Sequence, residues 1–454
     1  MALRFRKQPA QFFYDVVREH GNLCSFKVGT RWYYVVNEPD IISDLLITNN
    51  AKFVKDRAQR LTHLLMGKGL ITSEGELHLK QRRLMQPYLH RNRIDDYAPA
   101  IVRYTAGAVD AWRDGETIDL HLQLNRITLD IITDTLFDSL VGDAGTTLGR
   151  ELGNMMSYVI RVVTSPLPTL TRWSPGPKSV KARLQRRKLN SLIVKLVDEG
   201  REQHEPGRRN TLLDALLEAE ERPDRPGIST QQIYDEVITL LLTGHETTAN
   251  ALAWAWHLLS HHPEEYERLL AEVDALLGPR DSTPGARDSV GTLTAADVAS
   301  LPYARRVFTE AMRLYPPAYA IGREAVADHR VGDFQVPAGT TVYMSQYVMH
   351  RDPRFYEDPD RFDPDRWLPE RSEGRPKWAY FPFGGGPRGC IGEPFSWLEG
   401  VLILAGLSYV WRFRPAVDKP APVAQPLISL RPRDGVWLVA DDRRSLQAGS
   451  RNGT

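Results

Sequence analysis

Hydrophobic and polar positions divide the chain into a short β-rich opening, a long helical middle and two later β-rich zones. Within 21–37, two runs rich in β-branched and aromatic residues flank Gly29-Thr30, which predicts a hairpin. Glu38-Pro39-Asp40 stops the second run, and apolar residues resume at helical spacing over 41–46. Most of the remaining chain reads as helix, broken by loops at 165–177 and 278–291 where Pro, Gly, Ser and Thr gather. A second β zone is expected over 323–345, with Pro337-Ala338-Gly339 at its turn, and a third over 427–440. The polar stretch 441–454 is expected to be a disordered tail behind a single domain spanning 1–440. The pattern therefore predicts a mainly α fold with small β-sheets.

One helix stands out. Ser229 with Gln232 three residues on forms a capping-box pattern, and nothing breaks the helix until Pro263. Some thirty residues at 1.5 Å each make a rod of about 45 Å, which has to pass through the core of a compact protein. Its middle reads Leu240-Leu241-Leu242-Thr243-Gly244-His245-Glu246-Thr247-Thr248-Ala249-Asn250, so an acid and three threonines follow a solidly apolar turn. Polar groups at core depth need partners or a task.

Composition excludes several classes. The 58 basic and 57 acidic side chains leave a net charge of +1, which gives no bulk electrostatic case for nucleic acid. The longest apolar stretches, such as Val237 to Leu242, fall far short of the roughly 18 residues a bilayer requires, so no membrane anchor is expected. Met1 to Lys7 is basic, but Gln8-Pro9-Ala10-Gln11 follows it instead of an apolar signal core, and a cytoplasmic location is the expectation. Cys24 and Cys390 are the only thiols, so there is no disulfide framework to read.

Cys390 closes the run Phe381-Pro382-Phe383-Gly384-Gly385-Gly386-Pro387-Arg388-Gly389-Cys390-Ile391-Gly392. A structural zinc site needs four Cys or His ligands, and no other cysteine or histidine lies nearby in the chain. Haem iron needs a single protein ligand, and Cys is one of the few it accepts. Gly386, Gly389 and Gly392 allow tight turning and close approach to a flat macrocycle, and Arg388 can pair with a carboxylate of that macrocycle. A phosphate-binding loop would need Gly-Lys-Ser or Gly-Lys-Thr, which is missing here. Taken alone, a cysteine is more often a small buried hydrophobe.

The order Phe-x-x-Gly-x-Arg-x-Cys-x-Gly, from Phe383 to Gly392, resembles the haem-ligand loop of the cytochrome P-450 superfamily. The resemblance implies haem b bound between the long helix and this loop, with Cys390 as axial thiolate and Phe383 and Gly392 lining the cofactor. Gly-x-Glu-Thr-Thr at Gly244 to Thr248 is similar to the family's oxygen-activation segment, although Thr243 stands where the family has Ala or Gly. Glu246 and Thr247 are then the catalytic pair, a carboxylate and a hydroxyl feeding protons to dioxygen, and Gly244 leaves room beside the helix. Read without the resemblance, Thr247 and Thr248 bond back to the preceding turn and bend the helix.

Glu310 and Arg313 lie three apart on one predicted helix face and by themselves read as a surface ion pair. They resemble the family's Glu-x-x-Arg signature, whose third member is expected at Arg366 in Phe362-Asp363-Pro364-Asp365-Arg366-Trp367; this trio is structural. His78, Arg82, Arg323 and Arg388 fall where the resemblance implies partners for the two haem propionates, which are costly to bury unpaired.

Substrate segments are expected at 61–71, 165–173, 240–247, 318–321 and 427–429, with Leu65, Leu242, Thr243, Ala320, Ile321 and Ile428 lining an apolar pocket. The implied reaction is oxidation of an apolar metabolite, such as a terpenoid, fatty-acid-like or polyketide compound, using dioxygen and two electrons. No flavin or nicotinamide fingerprint is present, so the electrons are expected from a separate ferredoxin or flavodoxin docking near Lys80 and Arg83. The chain resembles soluble bacterial members of the family, working as a monomer in secondary metabolism. A haem-thiolate peroxygenase or isomerase, or a non-enzymic haem sensor, would share Cys390 but would have no use for the proton-feeding pair.

Overall fold

The computed structural model describes residues 2–138, 142–163, 165, 177–204, 211–221, 227–278 and 286–445. The expected hairpin forms from β1 (Leu23–Val28) and β2 (Arg31–Val36), antiparallel in register Leu23 to Val36, with Gly29 at φ 62° in the turn. Val35 and Val36 are fully buried, because β2 continues into a five-stranded sheet of order β1-β2-β8-β5-β3. Its other members are β3 (Phe53–Lys55), β5 (Ile321–Ala325) and β8 (Thr341–Met344), and the β2–β8 pair is parallel. A three-stranded sheet joins β4 (Glu116–Asp119), β12 (Trp437–Asp442) and β9 (Trp411–Pro415). Two small hairpins, β6 (His329–Val331) with β7 (Phe334–Val336) and β10 (Val423–Pro426) with β11 (Leu430–Arg433), complete the β structure among the described residues.

The longer helices are α1 (Pro9–His20), α2 (Arg57–Met66), α3 (Gly75–Met85), α4 (Ala98–Val109), α5 (Leu120–Phe137), α6 (Gly142–Val163), α7 (Pro177–Gln203) and α8 (Leu212–Glu221). They continue as α9 (Thr230–His261), α10 (Pro263–Leu277), α11 (Pro302–Leu314) and α12 (Glu393–Val410). The capping box at Ser229 is present in both directions, and 32 residues carry α9 about 48 Å through the molecule. α9 packs against α5, α11 and α12, and most of its side chains are buried. The main core forms around these helices, while Phe12, Phe13 and Phe26 build a separate aromatic cluster between α1 and the first sheet.

Two expectations about the chain's course change, and a third falls outside what the structure describes. Residues 286–291 form a short helix inside the stretch read as loop, and 279–285 lie outside the described residues. Nearly all of the loop expected at 165–177 also lies outside them. At the other end the ordered structure passes 440: β12 runs to Asp442, and buried Arg443 pairs with Asp274 at 2.6 Å while donating to the carbonyls of Ser408 and Tyr409. A charged tail reads as solvated in sequence, but this arginine has a carboxylate and two carbonyls waiting in the fold. Among the described residues no helix is long and apolar enough to cross a membrane.

Candidate functional site

The Cys390 loop is built by two constraints. Gly384 and Gly386 have φ of 66° and 68°, values that side chains disfavour, and a Cβ on Gly386 would overlap the backbone carbonyl of Leu46. The freedom expected of Gly389 and Gly392 is not used, since both have ordinary negative φ; Gly389 instead packs closely on the backbone of Gly385 and Gly386. The amide of Cys390 donates to the Phe383 carbonyl at 3.0 Å and closes the loop.

Gly392 caps α12, which places the sulfur at a helix N-terminus. Burial pushes the Cys390 thiol up, while the N–H groups of Gly392 and Glu393 and the guanidinium of Arg82 favour its thiolate. The side chain is nonetheless exposed by surface area, so the sulfur faces open space although protein surrounds it. A thiol exposed in this way is not a packed core cysteine.

A set of cations lies around this loop. Lys55, His78 and Arg323 are buried, and Arg82 and Arg388 are half-buried. Arg388 pairs with Glu74, and Arg82 donates to the Gly389 carbonyl at 2.8 Å, so it braces the loop instead of simply facing the same way as His78. Burial, then the nearby Arg388, lowers Lys55 to about 7 and Arg323 to about 10. Burial together with Arg388, Lys55, Arg82 and Arg323 brings His78 down to about 3. Lys55, His78, Arg82 and Arg323 are pushed toward neutrality by desolvation and by their basic neighbours, with Glu74, Asp56 and Glu236 as the opposing carboxylates. A macrocycle carrying two carboxylates fits such a set, and so do the exposed thiol and the tightly packed glycine loop.

Sequence reasoning missed Lys55. The signal was available: Phe53 and Lys55 are two apart on a strand and share the buried face, which makes Lys55 a polar break in an inward-facing row. Its Nζ donates to the carbonyls of Leu70 and Ser73 at 2.9 and 2.8 Å.

Across from the loop, the polar segment of α9 is linked to the start of α12 by Thr248 and Ser396, whose hydroxyls are 3.4 Å apart. Thr247 donates to the Thr243 carbonyl at 2.7 Å, which is the back-bonded arrangement, and Glu246 accepts from Ser429 at 2.8 Å. Thr243 is back-bonded as well, to Thr239 at 2.8 Å. The room expected beside Gly244 is filled, because a Cβ there would overlap Ile132 of α5; this glycine lets two helices approach. Glu399 on α12, also missed, is fully buried, and burial raises it to about 8, with the Thr248 hydroxyl favouring its charge. An acid inside the apolar run of α12 was its sequence signal.

Glu310, Arg313 and Arg366 come together as one network. Arg313 binds both oxygens of Glu310 at 2.8 Å, Arg366 reaches Glu310 at 3.3 Å and Trp367 donates to it at 2.9 Å. Glu310 and Arg313 are completely buried, so the pair is no surface bridge.

The expected pocket residues join different clusters. Leu242 packs in the main core, Ala320 packs against the N-terminal aromatic cluster, and Ile321 of β5 reaches toward Gly384 in the Cys390 loop. Aliphatic side chains at this depth serve packing as readily as binding, which the sequence alone does not separate. Ile428 is 37% exposed between β10 and β11, and the side chain of Leu65 lies outside the described residues. Of the residues expected in the docking patch, Lys80 donates to the Gly227 carbonyl at 2.8 Å at the surface and Arg83 is exposed. A cavity of about 160 Å³ between α2, α7 and α9 is lined by Met66, Asn190, Gln231, Tyr234 and Asp235 and by no residue of the Cys390 loop.

Comparison with known proteins places these features in context. The family model described as Cytochrome P450 matches residues 1–439. The chain is 34% identical to cyclooctatin synthase of Streptomyces melanosporofaciens, over 98% of this chain and 92% of that protein. It is 32% identical to cyclooctat-9-en-7-ol 5-monooxygenase of the same organism, over 90% of this chain and 86% of the relative. Pentalenene oxygenase of Streptomyces avermitilis is likewise 32% identical, over 93% and 91%. Among solved structures, the heme domain of cytochrome P450DA shares the fold with a TM-score of 0.83 at 24% identity, covering 98% of this chain and 96% of that one.

Proposed function

The chain belongs to the cytochrome P450 family, and from that premise we propose that it oxidises a terpenoid with Cys390 as the thiolate ligand of haem b. It is a haem-thiolate monooxygenase. When bound, the haem supplies dioxygen activation. The protein supplies the rest: Cys390 as ligand at the N-terminus of α12, Lys55, His78, Arg323 and Arg388 as partners for the propionates, and Arg82 as the brace on the ligand loop.

The carrying observation is the exposed thiol beside a group of buried basic side chains in which burial and mutual repulsion hold Lys55 and His78 well below their ordinary values. Glu246 is the acid of the proton path, and Glu310, Arg313 and Arg366 hold the framework behind the ligand loop. The terpenoid class follows from the names of the three relatives, all of which align over most of their length. Electrons come from a separate ferredoxin or flavodoxin, and the chain acts as a monomer.

Two measurements test this. The reduced carbonyl adduct of the haem-loaded protein is expected to show the red-shifted Soret band of thiolate ligation, and Cys390→Ser is expected to lose it while keeping the far-ultraviolet circular dichroism. A normal band in Cys390→Ser removes Cys390 as ligand. Pentalenene and cyclooctat-9-en-7-ol, titrated into the ferric protein, are expected to shift the Soret band where fatty acids of similar size do not. The opposite order of response sinks the terpenoid assignment.

A further inference from the structure

Glu246 is aimed by a group far away in sequence. Its Oε1 accepts from Ser429 Oγ at 2.8 Å, and Ser429 is a buried residue just before β11. Ser429 is itself held by Asn250, fully buried one turn past Glu246, whose Nδ2 donates to Ser429 Oγ at 3.0 Å. Asn250 Oδ1 in turn lies 2.7 Å from His121 Nε2, on the first turn of α5.

Each link has one direction. An amide nitrogen only donates and an amide oxygen only accepts, so His121 gives its Nε2–H to Asn250 and Asn250 gives its N–H to Ser429. A hydroxyl carries one hydrogen, and with Asn250 already donating to it, that hydrogen goes to Glu246. Burial lowers the pKa of His121 at the head of the chain, against the raising effect of its bond to Asn250. The turn that carries Ser429 is tied down separately, since Tyr319 donates to the Leu427 carbonyl at 3.1 Å and the Leu430 amide to the Pro317 carbonyl at 2.9 Å.

We infer that Ser429, oriented by His121 and Asn250, is the positioning residue that aims the Glu246 carboxylate for proton delivery. The inference rests on the reading of Glu246 as the acid of the proton path. It adds residues from two other elements to a pair that sequence places on α9 alone.

The test uses haem-loaded protein, a reduced ferredoxin and dioxygen, with no organic substrate. Dioxygen taking two electrons and two protons leaves as hydrogen peroxide, and taking four of each it leaves as two waters. Both routes take one proton per electron and differ in whether the O–O bond is cleaved, which needs protons brought to the outer oxygen, so the peroxide released per electron consumed reports how well that delivery is aimed. Ser429→Ala is expected to raise that share by about two- to tenfold, the range spanned by one lost hydrogen bond. Ser429→Thr, which keeps the hydroxyl, is expected to restore it. In a Glu246→Ala background, Ser429→Ala is expected to add nothing, because the two act as one unit.

If Ser429→Ala leaves the share unchanged while Glu246→Ala raises it, or if the two effects simply add, the inference is overturned. If Glu246→Ala itself changes nothing, the proton path proposed above falls instead. The clamp is then judged by urea unfolding of the same four proteins: single and double variants with non-additive midpoints support it, and additive midpoints reject it.

Discussion

Glu399 shows how one residue links burial to pH. It has no exposed surface, and both of its side-chain oxygens lack a hydrogen-bond partner of normal geometry. Burial raises it from 4.5 to about 8, so at neutral pH it sits in the core as a neutral acid. A folded-state value above the unfolded one means that the folded protein holds the proton longer. Its contribution is fully present below about pH 4.5 and is lost as pH rises through about 8. Glu399→Gln is therefore expected to remove a pH-dependent loss on the order of a few kcal/mol. In urea unfolding the variant is expected to match or fall below the parent at pH 5 and to exceed it at pH 9. Parallel curves across that window would show that Glu399 is ionised in the fold. The helical run around it made an acid conspicuous in sequence, but only packing showed that the Thr248 hydroxyl alone opposes the effect of burial.

At the scale of elements, the ligand loop and α9 are shaped by close approach. Gly386→Ala puts a Cβ both into a left-handed backbone, which costs about 1–2 kcal/mol, and against the carbonyl of Leu46, which has no side-chain freedom with which to yield. Gly392→Ala meets nothing nearer than Cys390 Sγ at 3.8 Å, with an ordinary φ of −86°. The expected outcome is a Gly386→Ala protein with little haem per polypeptide by absorbance ratio and a lower unfolding midpoint, and a Gly392→Ala protein close to the parent in midpoint. Equal haem content in the two would show that the left-handed turn is dispensable. The glycine spacing in the loop was legible from sequence, but which glycines need their freedom was not. φ depends on what the loop packs against, here the segment around Leu46. The same holds for Gly244, whose missing side chain is read in sequence as open space and in the fold as a seat for Ile132.

Across the whole molecule, the cation set is assembled from β3, α3, β5 and the ligand loop, which lie as far apart in sequence as Lys55 and Arg388. Lys55 stands at about 7 in the protein's own field. Carboxylates placed beside it favour its charged form and raise that value. Haem binding at pH 8 is therefore expected to take up about one proton, and at pH 6, where Lys55 is already charged, much less. Calorimetric titration of the haem-free protein in buffers of different ionisation heat measures this directly. Release of protons, or no difference between buffers at pH 8, would show that Lys55 does not face the propionates. The Glu310–Arg313–Arg366 network is the structural counterpart of this assembly: charges brought together from distant segments, here bonded to one another, to Trp367 and to backbone carbonyls between His350 and Arg361.

Local rules were enough for part of this. The capping box at Ser229, the hairpin about Gly29, the alternation that marks the strands and the glycine-rich turn before Cys390 depend on residues within a few positions of one another, so the sequence alone determined them. Which polar groups meet was decided only by the tertiary structure. Glu246 was read beside Thr247 but bonds to Ser429; Lys55 was unremarked but joins Arg323 and Arg388; Arg443 was assigned to a tail but lies against Asp274. The physical reason is that a buried polar group takes whichever partner the packed elements bring within about 3 Å, and chain order carries no information about that.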